Sequence, residues 1–117
     1  MTFFNIILLI NIIPRFCTLN SIVICEGTSS IITCPDKSLI QIQSAFYGRF
    51  NNKLCPTIAT EMNLCKSANV TDFIQKLCYK NNSCFIVSNN NVFGYDPCRK
   101  TFKYTIVNYD CFLETDM

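Results

Sequence analysis

Histidine is absent from this chain of 117 residues, and glycine occurs only three times. Without histidine, Ser/His and Cys/His nucleophilic dyads are excluded. The commonest nitrogen ligand for zinc is missing as well, and no closely spaced Cys-x-x-Cys pair replaces it. No Asp-x-Asp loop ending in a bidentate acid is present to hold calcium. No cofactor or metal is therefore expected. Charge is sparse and mixed, ten Lys and Arg against eight Asp and Glu for a net +2. Scattered in this way it forms no basic stripe, which excludes nucleic acid and an anionic membrane surface as partners. No apolar run approaches the roughly 20 residues needed to cross a bilayer, so membrane insertion is not expected. A chain of this length has room for one domain.

Cysteine is abundant: nine residues, at 17, 25, 34, 55, 65, 78, 84, 98 and 111. The apolar run from Phe3 to Ile13, followed by Pro14 and small or polar residues, reads as a secretory signal peptide over residues 1–20, although it lacks a basic start. The competing reading, a buried N-terminal helix, lacks a polar face to show water. Cleavage between Cys17 and Ser21 removes Arg15 and one cysteine, which leaves a charge of about +1 and an even set of eight cysteines in a short secreted chain. That is a disulfide framework, and a small core needs one. Spacing alone leaves 105 connectivities open; only Cys78 and Cys84, around the polar loop Tyr79 to Ser83, suggest a local pair. Two sequons, Asn69-Val70-Thr71 and Asn81-Asn82-Ser83, agree with export and place glycosylation at Asn69 and Asn81 in surface loops.

Short β-branched and aromatic segments recur at Ile22–Glu26, Ser30–Cys34, Ser38–Tyr47, Cys84–Ser88 and Phe102–Tyr109, most of them separated by turn residues. In the third, Ile40, Ile42, Ser44 and Phe46 alternate with Gln41, Gln43, Ala45 and Tyr47, which predicts a strand with Tyr47 on its polar side. Val70, Phe73, Ile74, Leu77 and Cys78 follow helical spacing and predict one short amphipathic helix, capped by Asn69 or Thr71. Residues 49–66 and 88–101 have no visible period and read as long structured loops.

Glu26 and Asp96 are the carboxylates that could flank a glycosidic bond, yet carboxylates that accept hydrogen bonds from adjacent sugar hydroxyls explain them more simply. The distinctive residues are Ala45-Phe46-Tyr47-Gly48-Arg49 after one strand and Phe93-Gly94-Tyr95-Asp96-Pro97-Cys98-Arg99-Lys100-Thr101-Phe102-Lys103-Tyr104 before another, with Cys25-Glu26-Gly27 near the start. These resemble the rhamnose-binding lectin family, the sea-urchin-egg-lectin type domain also found in latrophilin receptors. In that family the pattern is Ala-x-Tyr-Gly-Arg, then Asp-Pro-Cys-x-Gly-Thr-x-Lys-Tyr, on eight cysteines. The likeness spans Ile22 to Cys111. It implies the pairs Cys25–Cys55, Cys34–Cys111, Cys65–Cys98 and Cys78–Cys84, and a small disulfide-rich antiparallel β-sandwich of the α+β class with one short helix.

The resemblance further implies a secreted, non-catalytic domain over residues 21–113, with a tail at 114–117, that binds L-rhamnose or D-galactose on glycoprotein or glycolipid glycans without metal. Glu26 and Asp96 would accept from sugar hydroxyls, Tyr47 would make a ring and hydroxyl contact, Lys103 would donate, and Asn90 would add a polar contact. On the residues alone, Tyr47-Gly48 and Asp96-Pro97 are also ordinary turn chemistry and Lys103 a solvated strand residue. Three departures stand out: Lys100 for the family's Gly, Tyr95 as an insertion, and Phe102 for Tyr. The first two motivate an alternative, the same scaffold as a protein-binding adhesion or effector module; a disulfide-rich protease inhibitor lacks an identifiable reactive loop. Agglutination by a domain with one weak site would require self-association.

Overall fold

The computed structural model describes residues 19–51, 53–56 and 65–116; the leader read at the N-terminus and Cys17 fall outside them. In chain order the elements are β1 (Asn20–Cys25), β2 (Thr28–Thr33), β3 (Ser38–Arg49), β4 (Cys65–Asn69), α1 (Thr71–Cys78), β5 (Ser83–Ser88), α2 (Asn90–Phe93) and β6 (Tyr104–Leu113), closed by a 3-10 turn at Glu114–Asp116. The strands form two antiparallel sheets, one ordered β1-β6-β3-β4 and one pairing β2 with β5. Ile24, Ile40, Ile42, Ala45, Tyr47 and Val107 from the first sheet pack with Ile32 and Ile86 from the second and Ile74 of α1. Buried hydroxyls of Ser88 and Thr105 join 2.7 Å apart, on β5 of one sheet and β6 of the other. The result is a small disulfide-rich α+β domain of mostly antiparallel strands.

Four disulfides hold it, with Cα atoms 5.3 to 6.0 Å apart. Cys25–Cys55 ties the end of β1 to the segment after β3, and Cys34–Cys111 ties the residue after β2 to β6. Cys65–Cys98 links β4 to the loop before β6, and Cys78–Cys84 joins α1 to β5. Each should stabilise the fold by about 2 to 5 kcal/mol according to the loop it closes, mainly through the unfolded chain.

The long strand β3 departs from simple alternation. Ile42 faces Tyr109 and Ser44 faces Asn108, so Gln43 is an extra residue, a bulge. Because side chains alternate with period two, one extra residue reverses which side faces the core. Ile40 and Ile42 point inward before the bulge, and Ala45, Tyr47 and Arg49 are buried after it. Ser44 and Phe46 are thereby moved to the outer face, and Tyr47, expected on the polar side, lies in the core. Gly48 suits this geometry for a separate reason: a Cβ there would meet the Ser67 Cα of β4 at 2.6 Å.

The stretches read as loops contain further structure. Residues 65–69 pair with β3, and a single helical turn, α2, follows β5. Asn89 caps that turn by accepting the Val92 N–H, and Gly94 ends it in the left-handed region. The cap of α1 is Val70, not Asn69 or Thr71; the Asn69 carboxamide instead accepts the Thr71 N–H at 3.0 Å. Only Ile74 and Cys78 of α1 are buried, while Phe73 and Leu77 remain exposed, so the packed stripe is narrower than the sequence spacing suggests. The last strand starts at Tyr104 rather than Phe102, because the preceding residues form a turn fixed by the Thr101 N–H to Cys98 carbonyl bond.

Candidate functional site

Glu26 sits in the turn between β1 and β2. Gly27 supplies the positive φ of 84° that this turn requires. Its N–H donates to the Ser88 carbonyl at 2.7 Å, and the Thr28 hydroxyl donates to the Cys25 carbonyl at 2.6 Å. Glu26 and Lys103 then bond reciprocally: the Glu26 N–H donates to the Lys103 carbonyl and the Lys103 N–H to Glu26 Oε1, both at 2.9 Å. The turn and the segment leading into β6 are thereby locked together.

Lys103 reaches inward from that segment. Its side chain is 2% exposed, so it is not the solvated strand residue that local sequence allowed. The ammonium lies 3.1 Å from Glu26 Oε1 and 3.0 Å from Asp96 Oδ1, and it also donates to the carbonyls of Thr101 at 3.0 Å and Cys98 at 3.4 Å. Three N–H bonds serve four acceptors, which satisfies a buried cation. Both carboxylates keep contact with water, at 22% and 30% side-chain exposure. Asp96 Oδ1 additionally accepts the Cys98 N–H at 2.9 Å, an Asx turn set up by Asp96-Pro97. Turn chemistry and site geometry are here the same feature.

Tyr47 lies beneath this cluster. Its ring is 5.7 Å from the Lys103 ammonium and 4.7 Å from the ring of Phe93 on α2. The hydroxyl donates to Asn90 Oδ1 at 2.7 Å and also interacts with the Glu26 carboxylate. Burial, together with the negative charges of Glu26 and Asp96, pushes the Tyr47 phenol far above its ordinary range, so it stays a neutral donor. Asn90 gives its oxygen to Tyr47, and its two amide N–H donors remain without a partner among the described residues. For Asp96, partial desolvation raises the carboxyl, but the Lys103 hydrogen bond and charge, the Cys98 N–H and Arg99 outweigh it and hold the group below its usual value. Asp96 is thus kept ionised and carries no proton to donate near neutral pH.

All five residues singled out in the sequence, Glu26, Tyr47, Asn90, Asp96 and Lys103, meet in this one cluster. One residue of the motif was not assigned a role. Arg49 is fully buried, and its guanidinium donates to the carbonyls of Phe102, Asn51, Leu54 and Cys55 and lies 5.4 Å from the Tyr104 ring centre. It holds the loop after β3 against the segment that carries Lys103. A buried charge neutralised by main-chain carbonyls has no signature in sequence beyond its place after Tyr47-Gly48.

Two of the three departures from the family pattern, Lys100 and Tyr95, are exposed beside site residues, whereas Phe102 is half-buried and its carbonyl accepts from Arg49. Lys100 has φ of 61°, the left-handed region where glycine is at ease, and its side chain is exposed. Tyr95 is exposed next to Asp96. Among the described residues no group of three or more His, Cys, Asp or Glu side chains is placed to hold a metal ion.

Comparison with known proteins gives consistent findings. A family model described as the D-galactoside/L-rhamnose binding SUEL lectin domain matches residues 32–111. The chain is 41% identical over 90 residues to an L-rhamnose-binding lectin of Echinometra lucunter, covering 75% of this chain and 86% of that protein. It is 36% identical over 103 residues to a D-galactoside-specific lectin of Heliocidaris crassispina, covering 86% and 96%. An adhesion G protein-coupled receptor of Homo sapiens is 32% identical over 89 residues, 74% of this chain but 6% of the receptor.

Proposed function

The chain belongs to the D-galactoside/L-rhamnose binding SUEL lectin family, and on that premise we propose that Glu26, Tyr47, Asn90, Asp96 and Lys103 form a metal-free site for a terminal L-rhamnose- or D-galactose-type sugar. The observation that carries the proposal is the buried Lys103 ammonium pinning two partly exposed carboxylates at 3.1 and 3.0 Å. Vicinal hydroxyls need acceptors held at fixed spacing, and charge-assisted hydrogen bonds supply orientation as well as energy. The Asn90 amide adds a donor on the Tyr47 side. Lys103 acts first by positioning the carboxylates; a sugar oxygen reaches its ammonium by displacing the long contact to the Cys98 carbonyl.

Two carboxylates face one ammonium at the centre of the site, with the Arg99 charge near Asp96, so the site carries no excess of positive charge for an anionic ligand. Its hydrogen-bonding groups, two acceptor carboxylates and an amide donor, favour a neutral, hydroxyl-rich ligand. Asp96, held ionised by Lys103, is not placed to serve as the proton-donating acid of a glycosidase. The partners are glycans of glycoproteins or glycolipids. Among the described residues no helix is long and apolar enough to cross a membrane, and the disulfides favour an oxidising compartment. We read residues 1–20 as the export signal, 21–113 as the lectin domain and 114–117 as a tail, with the protein extracellular.

Retention of the oxidised domain on immobilised L-rhamnose and D-galactose, with and without a chelator, tests the reading. Retention that resists chelator and is eluted by free sugar supports it. Passage through both columns contradicts it and favours the protein-binding alternative, with Tyr95 and Lys100 as the altered rim.

A further inference from the structure

The outer face of the four-stranded sheet carries an apolar row that the sugar site does not use. Val23 pairs with Ile106, Ile106 with Phe46, and Phe46 with Asn69, so one residue from each of β1, β6, β3 and β4 lies in line. Directly opposed residues of antiparallel strands share a face. Val23 is exposed, Phe46 and Ile106 are half-buried, and the exposed Phe50 ring stands edge-on to Phe46 at 6.2 Å. The bulge at Gln43 puts Phe46 on this face. A contiguous apolar patch on a secreted domain calls for a cover.

At the end of the row is Asn69, exposed and first in the sequon Asn69-Val70-Thr71. Its Oδ1 is engaged by the Thr71 N–H at 3.0 Å and the Thr71 hydroxyl at 2.6 Å. Nδ2, the atom an N-linked sugar is bonded to, has no hydrogen bond among the described residues. Beside it lies an open hollow of about 530 Å³ bounded by Gln43, Ser44, Phe46, Asn69, Thr71 and Asp72. It offers an aromatic ring for the apolar face of a sugar and polar groups for its hydroxyls. The second sequon differs: Asn81 Nδ2 donates to the Leu77 carbonyl at 3.4 Å, its N–H to the Cys78 carbonyl at 3.1 Å, and its own carbonyl accepts from Ile40 at 2.9 Å.

We propose that Asn69 carries an N-linked glycan whose innermost sugar lies over Phe46 and covers the apolar row Val23–Ile106–Phe46. The proposal rests on the reading of this protein as exported. The modification forms a bond from Asn69 Nδ2 to C1 of an oligosaccharide and breaks that C1–O bond to its lipid pyrophosphate carrier. The carrier leaves as the pyrophosphate, and Nδ2 gives up one proton.

The test is expression of the full chain in eukaryotic cells, followed by enzymatic deglycosylation in heavy-oxygen water and mass spectrometry of the Asn69 peptide. The secreted protein should carry the heavy label at position 69. Asn69→Asp keeps an acceptor for the Thr71 N–H and removes the glycan; it should raise the fluorescence of an apolar dye by at least about twofold over the glycosylated protein, as for an uncovered patch of a few hundred Å². Adding Phe46→Ser to it should remove that rise. Secreted protein with unmodified Asn69 overturns the proposal, and so does a glycan whose loss leaves dye binding unchanged. A chain found in the cytosol overturns the exported reading, and this inference with it; where the protein is found tells the two failures apart.

Discussion

The Tyr47 hydroxyl donates to Asn90 Oδ1 at 2.7 Å across 43 residues of sequence, joining the buried face of β3 to the single-turn helix α2 at the edge of the site. The bond fixes which end of the Asn90 carboxamide is occupied and which is left to donate. Tyr47→Phe keeps the ring against Phe93 and removes this constraint together with the hydroxyl's interaction with the Glu26 carboxylate. It should cost about 1 kcal/mol of stability and weaken sugar binding by roughly five- to tenfold, a comparable energy. Denaturant unfolding and calorimetric titration check the two effects separately.

Lys103→Met retains the stem and removes the cation between Glu26 and Asp96. The two carboxylates then lose their shared counter-charge and keep only the Cys98 and Lys103 backbone N–H groups and the Arg99 charge. A fully buried pair broken this way typically loses about 3 to 5 kcal/mol; water contact at both acids lowers the expected loss to about 2 to 4 kcal/mol. Sugar retention should disappear even at temperatures where the variant is folded, which circular dichroism establishes.

The pH dependence follows from two groups. Asp96 holds its proton less tightly in the folded protein than in the unfolded chain. Its contribution to stability is therefore complete above the ordinary carboxylate range near about 3.9 and is lost as pH falls through its lower folded value. Tyr47 is raised instead, so its contribution is complete below about 10 and is lost as pH climbs above that. Unfolding free energy measured against pH should be flat with respect to these two groups from about 5 to 9. Asp96→Asn should reduce the acid limb and, because the Asp96 charge is one cause of the raised Tyr47 phenol, also shift the alkaline limb toward lower pH, without abolishing it because burial and Glu26 remain.

Disulfide removal should scale with the loop each bridge closes. Cys34–Cys111 spans 77 residues and Cys78–Cys84 only 6. Loop-closure entropy predicts a loss of about 4 to 5 kcal/mol for the paired serine variant of the first and about 2 to 3 for the second. Thermal unfolding of the two variants, compared under the same conditions, gives the order.

Much of this structure was legible in sequence because it rests on local chemistry. The β-branched runs mark five of the six strands, and the spacing of Val70, Ile74 and Cys78 marks α1. What escaped depends on contacts distant in sequence. The bulge at Gln43 is a matter of register with β6, and no local pattern announces the reversal that buries Tyr47. Strand β4 has the weak sequence Cys65-Lys66-Ser67-Ala68-Asn69 and forms because β3, opened by Gly48, accepts it. At the site, family motifs named the five residues, but the burial of Lys103 follows only once Glu26 and Asp96 are brought to it from either side. The role of Arg49 was hidden for the same reason, since all four of its carbonyl partners lie in loops.

The most direct measurement is a titration of L-rhamnose and D-galactose into the isotopically labelled, oxidised domain, followed by nuclear magnetic resonance. The account predicts saturable shifts, at a dissociation constant on the order of 1 mM or tighter, of the Asn90 side-chain amide and of the backbone amides of Gly27, Cys98 and Lys103, unchanged by chelator. Saturable shifts at other residues, a requirement for a divalent ion, or no response to either sugar would contradict it.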